Sequence, residues 1–462
     1  MSQAIPALDP SIFKAYDIRG IVDQTLTEDA AYWIGRALGA EAAERGEQHV
    51  YVARDGRLSG PRLVDALSRG LLDAGRDVTD LGMVPTPVLY FAAYALGTGS
   101  GIMVTGSHNP PEYNGLKMVL GGTTLSGPDI QALRQRIENN KLNKDQGKLD
   151  RADVAQQYIE RISGDITLAR PLKLIVDCGN GVAGAIAPQL LRALGCEVNE
   201  LFCEVDGNFP NHHPDPSQPE NLQDLKRALQ EQHADIGLAF DGDGDRLGVV
   251  TPAGKVIWAD RQMMLYARDV LERNPGAEII YDIKCTTNLG RIIEQAGGKA
   301  TMWKTGHSFV KAKLKESGGL LAGEMSGHIF FKERWYGFDD ALYTAARLLE
   351  ILAKDPRPVD AVFDELPDSV NTPELQLRTA EGENHPLVEK LVAHAHFPDA
   401  TITTIDGLRV DFTDGFGLVR ASNTTPCLVF RFEAENAAAL KRIQDAFRQL
   451  VHSQAPDAEL PF

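Results

Sequence analysis

Short apolar runs bounded by Gly, Pro or Asp alternate along the chain with longer stretches of helical period, the pattern of parallel sheets covered by helices. The pattern predicts strands at residues 49–54 and 101–104, a helix over 61–74, and a second helix capped by Ser126 and running to about residue 139. It restarts at 172–177, with a helix after Gly181, strands at 197–202 and 235–240, and a helix near 222–232. A third round has strands at 278–283, 300–303 and 320–323 and a long amphipathic helix over 339–353. Residues 355–373, rich in Pro, Asp and Val with weak periodicity, read as a linker to a smaller unit of different strand and helix order. The expected fold class is α/β: three similar mixed α/β domains at 1–153, 154–254 and 255–367, and a smaller α+β C-terminal domain at 368–462, around a central cleft.

The 462 residues agree with that division, since domains average about 150 residues. Hydrophobic residues at 43% and charged residues at 24% exclude a disordered or low-complexity scaffold. With 47 Lys and Arg against 64 Asp and Glu, the net charge of −17 argues against nucleic acid or anionic lipid as partners, so an anionic ligand needs a local positive cluster. Five widely spaced cysteines without a C-x-x-C pair indicate neither a disulfide framework nor a zinc site. The start shows no basic and apolar signal segment, and no apolar run is long enough to span a membrane. A cytoplasmic protein, monomeric by default, is expected.

Four polar segments stand at predicted strand ends, where α/β sheets place ligands. Asp241-Gly242-Asp243-Gly244-Asp245-Arg246 spaces three carboxylates with glycines, so an irregular backbone can turn hard oxygen ligands toward one cation. An EF-hand is excluded, because its glycine position holds Arg246 and its closing glutamate position holds Pro252. Open coordination positions favour Mg²⁺ completed by a substrate phosphate. Thr105-Gly106-Ser107-His108-Asn109-Pro110-Pro111 is not a hydrolase elbow, but it presents Ser107, expected to be exposed on a rigid loop, as a phosphoryl carrier. Gly323-Glu324-Met325-Ser326-Gly327-His328 can hold vicinal hydroxyls. Arg420-Ala421-Ser422-Asn423-Thr424-Thr425 can surround a phosphate, although Asn423-Thr424-Thr425 also matches a glycosylation acceptor. Each segment alone also reads as a polar turn; together they read as one cleft.

These segments, with Ala15-Tyr16-Asp17-Ile18-Arg19-Gly20, resemble the α-D-phosphohexomutase superfamily, in the family's order and over essentially the whole chain. Gly106 and Met325 favour its mannose/glucose branch over the phosphoglucosamine mutases, which carry Ala and Gln there. The resemblance implies that Ser107 is phosphorylated in the resting enzyme and that Asp241, Asp243 and Asp245 hold Mg²⁺ with a phosphoserine oxygen. It implies that Glu324 and Ser326 in the Glu324–His328 loop contact the sugar 3- and 4-hydroxyls. Arg420, Ala421, Ser422, Asn423 and Thr424 would bind the non-reacting phosphate, and Tyr16, Lys284, His307 and His328 would complete the cleft.

The implied reaction is reversible conversion of a mannose or glucose 1-phosphate to the 6-phosphate through a 1,6-bisphosphate, with glucose 1,6-bisphosphate as activator and nucleotide-sugar synthesis downstream. Arg19, Lys117 and Arg246 would neutralise charge, and Lys117, His307 or His328 would handle the hydroxyl proton. Turning the intermediate calls for a hinge near residues 368–372. The alternatives are a phosphoglucosamine mutase, a Mg²⁺-dependent sugar-phosphate phosphatase and a silent sugar-phosphate sensor.

Overall fold

Four sheets follow one another in the computed structural model, whose described residues are 7–380, 382–423 and 425–462. The first contains β1 (Ile18–Ile21), β2 (His49–Arg54), β3 (Asp77–Met83), β4 (Gly101–Val104), β5 (Tyr113–Leu120), β6 (Thr123–Thr124) and β7 (Leu149–Arg151). The second contains β8 (Lys173–Asp177), β9 (Glu197–Leu201), β10 (Ile236–Phe240), β11 (Leu247–Val250) and β12 (Val256–Ile257). β13 (Glu278–Asp282), β14 (Lys299–Trp303), β15 (Leu321–Gly323) and β16 (Ile329–Phe331) form the third. The last has β17 (Val370–Asn371), β18 (Leu375–Arg378), β19 (Thr401–Thr403), β20 (Leu408–Phe412), β21 (Gly415–Ala421) and β22 (Cys427–Ala434).

The first three sheets share one plan. Each contains a parallel trio closed by an antiparallel fourth strand, ordered β3-β2-β4-β5, β9-β8-β10-β11 and β14-β13-β15-β16. In every copy the third strand joins the fourth through a short connection, and three of the four polar segments lie in those connections. The fourth sheet is antiparallel throughout, in the order β17-β22-β21-β20-β19 with β18 beside β22, and it packs against the helices Asn384–His394 and Ala437–Gln454.

The local reasons are conventional. β10 is buried at every position and reads as an unbroken apolar run because both sheet faces are covered. The helix Gly60–Asp73 buries the stripe Leu63, Val64, Ala66, Leu67 and Leu71, and the helix Glu28–Glu44 starts where Thr27 accepts a hydrogen bond from the Ala30 amide. One apolar cluster, including Phe91, Tyr158, Leu238, Met263 and Leu348, runs through the first three domains. The C-terminal domain has its own core around Phe430, Phe432, Ile443 and Phe447. It meets the third domain at a small apolar contact of Ile283, Phe416 and Leu418, where Arg409 stacks on Phe416 and donates to the carbonyls of Ile283 (2.6 Å) and Cys285 (2.8 Å). No helix among the described residues is long and apolar enough to cross a membrane.

Three local expectations need correction. The segment read as a linker contains a helix, Val359–Asp364, and β17 pairs with β22, because Val359, Val362 and Phe363 find a buried face that weak periodicity concealed. The helix Pro128–Glu138 is capped at Gly127 without a side-chain bond, and Ser126 serves instead through its carbonyl, which accepts from the Asp129 amide. After Gly181 the chain first makes a 3-10 turn, Val182–Ala185, and then the helix Ala187–Ala193, with Pro188 in its first turn.

Candidate active site

The β4–β5, β10–β11 and β15–β16 connections converge. Ser107 Oγ lies 3.4 Å from Asp241 Oδ2 and 3.2 Å from His108 Nδ1. Its backbone has φ +50°, a left-handed conformation uncommon for a residue with a side chain. The two loops are in backbone contact: a Cβ on Gly242 would lie 2.3 Å from the Ser107 carbonyl oxygen, so only glycine allows this approach. Contrary to the expectation of an exposed serine, Ser107 is 2% exposed. The reason is that the Asp241–Asp245 loop covers it from the second domain.

The Asp241–Asp245 turn is closed by Asp241 Oδ1, which accepts from the amides of Gly244 (3.0 Å), Asp245 (3.0 Å) and Arg246 (3.1 Å). Asp241, Asp243 and Asp245 are fully buried, and each offers one oxygen within 4.8 Å of the others'. Among the described residues, Asp243 Oδ1 is buried without a partner, and Asp245 Oδ1 is buried with no closer neighbour than His328 Nε2 at 3.3 Å. Buried carboxylate oxygens left open in this way fit a divalent cation. Burial, with repulsion from Asp245 and Asp243, pushes the Asp241 carboxyl well above its usual range, as expected of an acidic triplet lacking its full countercharge. Part of that charge comes from the buried Lys117, whose Nζ donates to Asp243 Oδ2 (2.7 Å) and to Asp245 Oδ2. Thr86 holds Asp243 from the first domain, through its amide to the backbone carbonyl (2.9 Å) and its hydroxyl to Oδ2 (2.5 Å).

The third loop adds His328 and Glu324. His328 Nε2 lies 3.2 Å from Arg246 Nε and 3.3 Å from Asp245 Oδ1, and its Nδ1 lies 3.1 Å from both Glu324 Oε2 and Ser326 Oγ. Burial works against its charge, but Asp245 and Glu324 more than offset it and raise the pKa to about 9. His307, 3.7 Å from Asp339, is instead held neutral by burial and by Lys311 and Lys117. The Glu324–His328 turn is fixed by the Gly306 amide donating to Glu324 Oε1 (2.6 Å), the Met325 amide donating to Asp282 Oδ1 (3.2 Å), and the Gly327 amide donating to the Glu324 carbonyl (3.1 Å).

The β21–β22 connection closes the far end. Arg420 Nε donates to Asp406 Oδ2 (3.0 Å), which also accepts from the Thr305 amide (3.0 Å). Arg420 Nη2 is buried without a partner among the described residues. Asn423 donates to the Tyr16 hydroxyl, which in turn donates to the Thr305 carbonyl (3.2 Å), joining the first, third and fourth domains. Lys284 Nζ pairs with Glu374 (2.5 Å). Ala421 ends β21, and the Ser422 carbonyl accepts from Asn384 Nδ2 (2.9 Å). Thr424 lies outside the described residues. Arg19 donates to Asn109 Oδ1 (2.6 Å) and pairs with Asp17 beside the Ser107 loop.

Sequence reading did not single out Asp55, Arg57, His213, Asp339, Glu374 or Asp406. The segment Asn211-His212-His213-Pro214-Asp215, dense in His and Pro, was the available signal: His213 Nε2 meets the His108 carbonyl, and the Pro214 carbonyl accepts from the Gly242 amide (3.1 Å). The others, apart from the neighbouring Asp55 and Arg57, are single charged residues far apart in sequence, and none carries a local signature.

Four stretches match the phosphoglucomutase/phosphomannomutase domains: residues 10–144 and 156–254 as alpha/beta/alpha domains I and II, 258–370 as alpha/beta/alpha domain III, and 374–450 as the C-terminal domain. A phosphomannomutase/phosphoglucomutase of Pseudomonas aeruginosa is 57% identical over 99% of this chain and 98% of its own. A phosphoglucomutase of Neisseria gonorrhoeae is 58% identical over 96% and 97%. A crystal structure of a phosphoglucomutase/phosphomannomutase family protein from Burkholderia thailandensis superposes with a TM-score of 0.95 at 59% identity, covering 99% of this chain and all of the other. The chain belongs to the phosphoglucomutase/phosphomannomutase family.

Proposed function

We propose that the protein interconverts the 1- and 6-phosphates of mannose and glucose by two phosphoryl transfers through Ser107. The observation that carries this reading is the meeting of Ser107 Oγ with Asp241 of the buried acidic triplet at 3.4 Å. In the first half-reaction the phosphorylated Ser107 gives its phosphoryl group to the free sugar hydroxyl: the bond from phosphorus to Oγ breaks and the bond to the sugar oxygen forms. The hydroxyl proton leaves to a base, and the product is a hexose 1,6-bisphosphate. In the second half, after the sugar has turned end for end, the other phosphate returns to Ser107 Oγ and the proton returns to the freed hydroxyl. The serine ends as it began.

Asp241, Asp243 and Asp245 would hold Mg²⁺, which when bound neutralises the transferring phosphoryl oxygens. The remaining chemistry belongs to the chain. Arg19, beside the Ser107 loop, and Arg246, at the end of the acidic turn, would donate to the transferring phosphoryl oxygens. Lys117, committed to two carboxylates, and His328, held charged by Asp245 and Glu324, keep their protons, so His307, held neutral, is the group able to accept the hydroxyl proton. Lys284, Arg420, Ser422, Asn423 and Tyr16 would bind the phosphate that does not react, and Glu324 and Ser326 the diol. Burial of Ser107 limits transfer to water, which disfavours a phosphatase. The candidate site residues all come from one chain, which supports a monomer, and five free buried cysteines suit a reducing cytoplasm. Glucose 1,6-bisphosphate would recharge Ser107 whenever the intermediate escapes.

A coupled assay started with mannose 1-phosphate should yield the 6-phosphate. Intact-mass measurement should find one phosphate on the wild type and none on Ser107→Ala, which should lose turnover but still bind sugar phosphate. Release of free sugar and inorganic phosphate, or full activity in Ser107→Ala, would refute the reading.

A further inference from the structure

Arg57, in the connection between β2 and the helix Gly60–Asp73, makes no hydrogen bond to the acidic triplet among the described residues and belongs to none of the four polar segments. Its side chain is nevertheless 1% exposed, and all five of its N–H donors are used. Nε donates to Asp55 Oδ2 (3.2 Å). Nη1 donates to the carbonyls of Pro110 (2.6 Å) and Tyr113 (2.9 Å), and Nη2 to those of Ser107 (2.8 Å) and Asn109 (2.6 Å). Four of the five bonds therefore go to the backbone that carries the reactive serine. Asp55 takes up the strand side of the same loop, accepting from Thr105 Oγ1 (2.8 Å) and the Gly106 amide (3.1 Å). Phe209 of the second domain covers the face of the guanidinium at 5.3 Å.

Resting on the proposed role of Ser107, we infer that Arg57, seated by Asp55, is a positioning residue that holds Ser107 in its left-handed conformation and so fixes the direction of Oγ. A planar fork is required. A lysine ammonium has three donors on one nitrogen and cannot reach four carbonyls spread from residue 107 to residue 113. The same geometry explains Gly106, where a Cβ would lie 2.4 Å from the Arg57 guanidinium carbon. The glycine makes room for the clamp rather than for a turn.

Arg57→Lys tests this with two readouts taken in parallel: phosphate uptake by Ser107 from glucose 1,6-bisphosphate, followed by intact mass, and glucose 1-phosphate affinity by calorimetry. Misplacing a reacting atom by about 1 Å costs on the order of a hundredfold in rate. Uptake and kcat should therefore fall by about that factor while affinity stays within about threefold, because the phosphate loop and the diol loop are untouched. Gly106→Ala, which presses on the guanidinium without removing a donor, should give the same split. Uptake at the wild-type rate in both variants overturns the inference. So does a parallel loss of uptake and affinity, or failure of both variants to fold, since each would make Arg57 a general structural residue. A wild type that takes up no phosphate would instead refute the role of Ser107 and leave the cause identified.

Discussion

Replacing Lys117 by Met should expose the charge balance of the acidic triplet. The Lys117 ammonium is 3% exposed and donates to Asp243, 2.7 Å away, and to Asp245. Burial opposes its charge, but Asp243 and Asp245 overcome that and raise its pKa well above the ordinary lysine range. A raised folded-state pKa means that the stabilisation is lost only as pH rises through that value, so it is constant across the neutral range. At an effective dielectric of about 20, a pair at this distance attracts by roughly 6 kcal/mol before desolvation is subtracted. Removing one partner of a buried pair costs about 3–5 kcal/mol net. At about 2–4 °C per kcal/mol for domains of this size, Lys117→Met in chelator should melt about 6–20 °C below the wild type. The empty methionine position leaves three buried carboxylates more dependent on a cation. A cation present at about 100 times its Kd returns about 2.7 kcal/mol, so Mg²⁺ should raise the variant's Tm by more than it raises the wild type's. Differential scanning calorimetry with chelator and with added Mg²⁺ measures both shifts. Equal Mg²⁺ shifts in the two proteins, or a variant as stable as the wild type in chelator, would refute the view that Lys117 and the cation share one charge deficit.

Two further outcomes are open to direct measurement. Asp340, fully buried and accepting from the Tyr343 amide (2.9 Å), the Tyr158 hydroxyl (2.8 Å) and Trp335 Nε1 (3.1 Å), has its pKa raised to about 7, chiefly by burial. Its stabilisation is present at acid pH and lost as pH rises through about 7, so the wild type should lose about 2–3 kcal/mol relative to Asp340→Asn between about pH 5 and 8, and a pH-independent difference in denaturant melts would contradict this. Galactose 1-phosphate, with its 4-hydroxyl inverted, should be turned over far more slowly than glucose or mannose 1-phosphate; equal kcat/KM values would remove Glu324 and Ser326 from diol recognition.

The parts legible in the sequence were those with a local signature. β2, β4, β8, β10, β13 and β15 stand where the apolar runs put them, to within a residue or two, because central strands of parallel sheets are covered on both faces and carry their own pattern. The acidic triplet was legible because alternate Asp and Gly within one six-residue segment is itself a local signature. Less was visible where the information is spread out. The common strand order of the three domains resides in which strands pair, not in recurring residues. Val359, Val362 and Phe363 form too short an apolar face to mark a helix without the surface they cover. Ser107 looked exposed because its loop is polar; its burial comes from a glycine-lined loop of another domain, a contact no single segment encodes. Arg57 and Asp55 stand about fifty residues before the loop they hold, and nothing near them announces a partner.

The Ser107 loop, the Asp241–Asp245 turn and the Glu324–His328 loop occupy the same hairpin of three sheets with the same strand order, so one repeated architecture delivers three different polar loops to a single point. The first two copies, which touch through backbone at Ser107 and Gly242, are constrained to change together, whereas the third loop meets them through side chains such as His328 and Arg246 and is freer to vary.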